Sequence, residues 1–295
     1  MFLLTRRARH GAFSQLSSSM WPIVAQLQIA GLSHPLTSYG LCAILGVLLG
    51  LAAIWRLAPW RDLPRFEAIC AATLGIAFGL LGAKLFYLAV SLPRIAVEGL
   101  GPFLESGGFV FYGGLIGGLA AVASYLRACG LPFLAFADMA TPALALGHAL
   151  GRVGCFLFGC CYGAPTSLPW GVRFPDSPFF DGPADTPLHP VQLYEAGFEL
   201  LLMAGALYLL SRWRSANRPR PGTVFLAWSA SYAVFRFTIE LALRGDDRGL
   251  GAGPLPPSAL ISLLLFAAAL LCWRRAQAAS SSRTNTDPSG DAERP

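Results

Sequence analysis

Seven times along this chain an almost uninterrupted apolar stretch recurs, at about residues 37–57, 66–92, 107–127, 133–151, 192–213, 222–243 and 257–273. A helix needs about 20 such residues to cross the hydrocarbon core of a bilayer, and inside lipid a helix satisfies its own backbone groups. The expected fold class is therefore all-α, a polytopic transmembrane helical bundle of about seven helices. Composition agrees, since only 13% of the residues are charged and the mean hydropathy is +0.55, against roughly 25% charged in soluble domains.

The net charge of +6 does not call for nucleic acid as a partner, because the basic residues fall mostly in short loops between apolar stretches, where they set topology. With the N-terminus outside, the inner loops hold Arg56, Arg61, Arg65, Arg127, Arg212, Arg214, Arg218, Arg220, Arg274 and Arg275. The outer ones hold Arg94, Arg152, Arg173, Arg244 and Arg248. An N-out, C-in protein of the cytoplasmic membrane is expected, with a long outer connection at 152–191 and interfacial aromatics in LPWGVRFPDSPFF.

Residues 1–36 read as an N-terminal extension and interfacial segment. The arginines there are not followed closely by a short apolar core and a small-residue cleavage site, so no signal peptide is expected, and Met20 is a plausible alternative start. A membrane domain at 37–273 and a polar, disordered tail at 274–295 complete the expected organisation.

Ionisable groups at membrane depth cost about 2.5–3.5 kcal/mol each on insertion scales, so each one implies a partner, a wet cavity or a function. We expect Lys84, Glu195, Arg236 and Glu240 at depth, with Arg152 at a helix end. Tyr232, Arg236 and Glu240 recur every four residues in SYAVFRFTIELALR and share one helix face. An arginine-glutamate pair of this kind serves helix association, and an arginine beside a phenol also suits a phosphate. In LHPVQLYEAG, His189 and Glu195 sit at a helix start, where capping and the helix dipole account for both, while His189 is also a titratable group near neutral pH. Gly147, Gly151, Gly154, Gly159 and Gly163 in GHALGRVGCFLFGCCYG, and the glycines of SGGFVFYGGLIGG, fit close helix packing.

SYGL at Tyr39, GAKLFY at 82–87, FVFYGGLIGG at 109–118, DMATPALALGHALGR at 138–152, LPWGVRFP at 168–175, HPVQLYE at 189–195 and YAVFRFTIE at 232–240 occur in an order that resembles the prolipoprotein diacylglyceryl transferase family, over about residues 21–273. That resemblance implies transfer of diacylglyceryl from phosphatidylglycerol to the lipobox cysteine of a prolipoprotein. It implies no cofactor, and its partners are phosphatidylglycerol, the lipobox segment and membrane lipids. Arg152 and Arg236 would hold the phosphate, Tyr39 and Tyr232 would shape the headgroup site, and Glu240 would orient Arg236. Tyr112, Gly113, Gly114, Gly154 and Gly163 lie in the shared segments and are expected to line the lipid site. His189 and His148 are the histidines available as a base.

The family signature G-R-x-G-N-F-x-N-G-E-x-x-G reads GRVGCFLFGCCYG here. Arg152, Gly154, Phe156, Gly159 and Gly163 match, whereas the asparagines become Cys155 and Phe158 and the glutamate becomes Cys160. A histidine of some members is Tyr112, and a glutamine usual near the last span is Ala259. The reaction needs a base for a thiol of pKa about 8.5 and cations for the departing phosphate. Two other readings stay open: a related transferase with a different acceptor, and a non-transferase membrane protein whose Cys155, Cys160 and Cys161 bind a soft metal or do redox chemistry. Those three could equally be packed as small apolar side chains. Of the possible disulfides, Cys155 with either of the vicinal pair is the less strained.

Overall fold

The computed structural model describes residues 22–29, 32–105, 108–175, 180, 182–183, 185–212, 220–244 and 256–284. Two strands, β1 (Ile23–Ile29) and β2 (Leu32–Thr37), are followed by α1 (Ser38–Leu57), α2 (Arg65–Val90), α3 (Leu92–Glu98), α4 (Gly101–Glu105), α5 (Phe111–Ala128), α6 (Phe133–Phe158), α7 (Val191–Arg212), α8 (Thr223–Ala242) and α9 (Pro257–Thr284). Each of the seven expected spans lies on a helix: α1, α2 and α5 to α9. Five of these, α1, α2, α6, α7 and α8, are long and apolar enough to cross a membrane. The described residues thus form an all-α membrane architecture with one addition, the antiparallel hairpin of β1 and β2.

The chain divides into two compact units. The first comprises residues 1–50, 141–209 and 223–295. Within it α1 runs antiparallel to α6 through small residues. A methyl added at Gly46 would lie 3.3 Å from the Gly147 Cα, one at Gly50 3.8 Å from the Ala143 Cβ, and one at Gly154 3.1 Å from the Tyr39 Cα. Without a hydrophobic drive between helices in lipid, such close backbone approach is what lets dispersion hold them. α8 and α9 also pack on each other in this unit.

The second unit comprises residues 51–140 and 210–222. Here α2 and α5 lie antiparallel with their glycines face to face. An added Cβ at Gly82 would be 2.4 Å from the Gly113 carbonyl oxygen, and one at Gly118 2.8 Å from that of Gly75. Lys84 donates to the Phe103 carbonyl at 2.8 Å and lies 5.2 Å from the Tyr87 ring centroid, which meets the partner requirement for a charge at depth. Asp138 is fully buried and accepts from Arg61 Nη2 and from the Gly222 amide, both at 2.8 Å. Arg61, read from sequence as an inner-loop charge, is a buried structural group.

Two boundaries differ from expectation. α6 does not stop at 151 but continues to Phe158, so Arg152 is a helical residue and the long connection starts at 159. Gly151 and Gly154 do not end the helix. Gly159 does, at φ +87°, with its amide bonded to the Phe156 carbonyl and the Cys160 amide to that of Cys155, the two bonds of a Schellman cap. α9 likewise runs past 273 to Thr284, in keeping with the helix-favouring alanines and arginines of WRRAQAA. The expectations for residues 1–19 and for the tail beyond 284 lie outside the described residues.

Candidate functional site

Three helices of the first unit each contribute side chains at helical spacing. α6 supplies His148 and Arg152, α7 supplies Glu195 and Glu199, and α8 supplies Trp228, Tyr232, Arg236 and Glu240, with Arg244 just beyond its end. A separation of four puts the members of each set on one face, one turn apart. The three faces meet, and their polar groups pair across helices.

Glu195 is the hub, with 0% of its surface exposed. Its Oε2 accepts from Nε of Arg152 and forms an ion pair with Nη2 of the same guanidinium. Its Oε1 accepts from Arg236 Nη1 at 2.8 Å and from Arg244 Nη1 at 3.3 Å. Glu240 Oε2 lies 2.6 Å from Arg236 Nη2 and 3.8 Å from Arg244 Nε, close charge contacts rather than aligned hydrogen bonds. Three guanidiniums thus share two carboxylates. In a weakly polar interior every one of these charges depends on the others, and clustered guanidiniums are donors suited to an anion.

One turn along α7 is a second hub. Glu199, also 0% exposed, receives Trp228 Nε1 at 2.9 Å and lies 2.8 Å from His148 Nδ1. Tyr232 fits between these partners, its ring 5.1 Å from that of His148, edge on, and 6.1 Å from that of Trp228, stacked. Tyr232, Arg236 and Glu240 therefore do form one polar stripe, and it continues into a buried carboxylate that the sequence reading overlooked.

The connection after α6 closes around this region. Gly163 donates to the His189 carbonyl at 2.9 Å, and Ala164 to that of Leu243 at 2.7 Å. A Cβ at Gly163 would come within 2.7 Å of both carbonyl oxygens, so only glycine fits where three segments meet. That pairing also brings Arg244 back to the cluster. Beneath it Phe156, Tyr162, Val172, Phe174 and Leu188 form a buried apolar core. His189 Nδ1 lies 3.2 Å from the Tyr194 hydroxyl, to which Trp170 Nε1 donates at 2.8 Å. His148, not His189, is the histidine in direct contact with the glutamate network among the described residues.

Cys155, Cys160 and Cys161 converge, all three Sγ atoms lying within 4.8 Å of one another, and all three are free thiols. Cys155 is buried at the end of α6, and the Cys160 carbonyl accepts from Nε2 of the fully buried Gln192 at 2.7 Å. Cys161 has φ +62°. Hydrogen bonds from Cys155 and Cys160 hold the Cys161 thiol below its ordinary range against the effect of burial, with a smaller contribution from Arg152 and Arg244.

Of the other expected site residues, Tyr39 adjoins Gly154 at the start of α1. Tyr112, Gly113 and Gly114 belong to the second unit, where the two glycines pack against the carbonyls of Gly82 and Gly79. Glu199, Arg244, Trp228 and Asp138 were missed from sequence. Glu199 and Asp138 carried a usable signal, a carboxylate within an apolar span, and Glu199 stands four residues beyond Glu195.

Residues 26–275 match the family described as prolipoprotein diacylglyceryl transferase. A Clostridium tetani protein named phosphatidylglycerol-prolipoprotein diacylglyceryl transferase is 38% identical over 226 residues, covering 76% of this chain and 87% of the relative. One from Gloeobacter violaceus with the same name is 33% identical, covering 80% and 87%. One from Clostridium perfringens, named as a second such transferase, is 31% identical, covering 80% and 89%. Five long apolar helices and a match over most of the chain make this a multi-pass protein of the bacterial inner membrane, and it belongs to the prolipoprotein diacylglyceryl transferase family.

Proposed function

We propose that the chain transfers the diacylglyceryl group of phosphatidylglycerol to the lipobox cysteine thiol of prolipoproteins and releases glycerol phosphate. The observation that carries this reading is the buried cluster in which Glu195 and Glu240 hold the guanidiniums of Arg152, Arg236 and Arg244 together. The anionic oxygens of a phosphodiester suit the forked donors of arginine. As the carbon-oxygen bond breaks, charge grows on the departing phosphate, and cations held in place beforehand stabilise that growth without reorganising. Glu195 and Glu240 keep the guanidiniums oriented. Tyr232 and Tyr39 border the headgroup, and His148 or His189 receives the thiol proton. The lipid site extends to Gly154 and Gly163.

We also propose that the N-terminus faces outside and the C-terminus inside. Excluding the buried, paired Arg61, Arg152 and Arg244 from the loop charges leaves nine arginines on the inner side against three on the outer, so the bias survives. The start of α1, the end of α6, the start of α7 and the end of α8 then share the outer side, the side on which an exported acceptor arrives.

The test is transfer of labelled diacylglyceryl from phosphatidylglycerol to a lipobox peptide by the purified full chain in detergent. Transfer to the cysteine peptide and none to its serine analogue is expected. Folded protein that transfers to neither contradicts the proposal.

A further inference from the structure

Cys155, Cys160 and Cys161 have no task in a phosphate site, yet their sulfurs converge. Cys155 comes from the last turn of α6 and the other two from the turn that follows. Adjacent residues of an extended chain point to opposite faces, and here the vicinal pair reaches one point with Cys161 in the left-handed region, which is uncommon for a residue other than glycine. The turn is pinned on both sides, by the Schellman cap at Gly159 and by Gln192 on the Cys160 carbonyl. The Gln192 Oε1, on the same amide that bonds the Cys160 carbonyl, is buried with no hydrogen-bond partner in the structure.

We propose that Cys155, Cys160 and Cys161 bind zinc or a similar soft divalent cation as thiolates, and that the acceptor cysteine thiol takes the fourth position; the second half rests on the transferase reading above. Zinc favours four ligands in a tetrahedron, and a site with three protein ligands keeps one position for a reactant. Cys160 and Cys161 are only half-buried, which leaves that position reachable. Three thiolates and a dication carry one net negative charge. Arg152, a cation, lies three residues before Cys155 on the same helix. A coordinated thiol is deprotonated at neutral pH, whereas a free one has a pKa of about 8.5. The acceptor thiol would give up its proton on binding, to His148 or His189. Its sulfur would then form a bond to the glycerol carbon while the carbon-oxygen bond breaks, and the electron pair of that bond would leave with glycerol phosphate.

Cobalt(II) is the probe. Full-length protein in detergent, reduced and stripped of metal, should take up one cobalt per chain with a thiolate-to-cobalt charge-transfer band and tetrahedral d–d intensity. Cys155→Ser, Cys160→Ser and Cys161→Ser should each lose the band, and Cys129→Ser should keep it. A lipobox peptide should shift the d–d bands, and its serine analogue should not. Absence of the band in folded wild-type protein, its survival in all three serine variants, or a disulfide between Cys155 and either neighbour in protein purified without reductant overturns the site. A band that the peptide leaves unmoved, or full transfer by metal-stripped protein, overturns the acceptor's place at the metal and leaves the transferase reading intact. A cobalt site in protein that transfers nothing overturns the transferase reading instead.

Discussion

Glu195 shows how much a single carboxylate can carry. Both of its oxygens are committed, to Arg152 on one side and to Arg236 and Arg244 on the other, with no exposed surface. Glu195→Ala takes a buried carboxylate from Arg152, Arg236 and Arg244 at once, and breaking a buried pair of this kind costs about 3–5 kcal/mol. A large drop in thermal midpoint in detergent, together with lost transfer, is the expected outcome, and a midpoint equal to wild type would show that the cluster is not buried as described. Glu199→Gln, whose partners are His148 and Trp228, should cost less, because the Trp228 bond can be kept by the amide oxygen. The four-residue repeat of Tyr232, Arg236 and Glu240 made half of this arrangement legible in the sequence. Arg244 was not legible, because it follows the end of α8 and reads as a loop residue until the pairing of residues 163–164 with 189 and 243 returns it to the cluster. Glu199 was overlooked because attention rested on its neighbour one turn earlier.

At the scale of elements, the helices meet through glycine, and the consequences are specific to position. A Cβ on Gly113 would lie 2.3 Å from the Gly82 carbonyl oxygen and 2.4 Å from the Phe86 Cβ, so Gly113→Ala must push α5 away from α2. Overpacking of this kind costs about 1–3 kcal/mol, which a thermal melt reads, whereas Gly101→Ala, where the new Cβ meets nothing within 4 Å, should be near neutral. Gly163→Ala is expected to disturb the segment that holds His189 and Leu243 and to lower transfer with the helical content unchanged by circular dichroism. A wild-type rate would show that this junction does not position the site. Packing glycines were readable as small residues in apolar spans, but their partners were not, since pairing between helices has no local signature. The length of α6 was misread for a related reason. Gly151 and Gly154 read as packing glycines, and Gly154 is where α1 comes close, while the helix ends only where Gly159 takes up the left-handed conformation.

For the whole molecule, the order of the apolar helices followed from the recurrence of apolar stretches, since a bilayer imposes its thickness on every crossing, while five of the seven are long and apolar enough to cross. The β1 and β2 hairpin ahead of α1 did not follow, because a short strand pair lacks both that length and a helical period. Direction across the membrane is open to direct measurement. Cys129, exposed at the end of α5, faces inside in the N-out arrangement, so an impermeant maleimide should modify it only after spheroplasts are permeabilised, with the adduct mapped by mass spectrometry. Modification in intact spheroplasts would invert the topology. Central to the account is the claim that the buried arginines stabilise the phosphate of the lipid as it departs, and Arg236 is the residue to remove, because it bonds Glu195 and contacts Glu240 at once. The most direct measurement is the rate of diacylglyceryl transfer from phosphatidylglycerol to a lipobox peptide by Arg236→Ala against wild type, at matched helical content. The account predicts a loss of about a hundred-fold or more, as for removal of one preorganised donor to a developing anion, and a folded Arg236→Ala protein that transfers at the wild-type rate would contradict it.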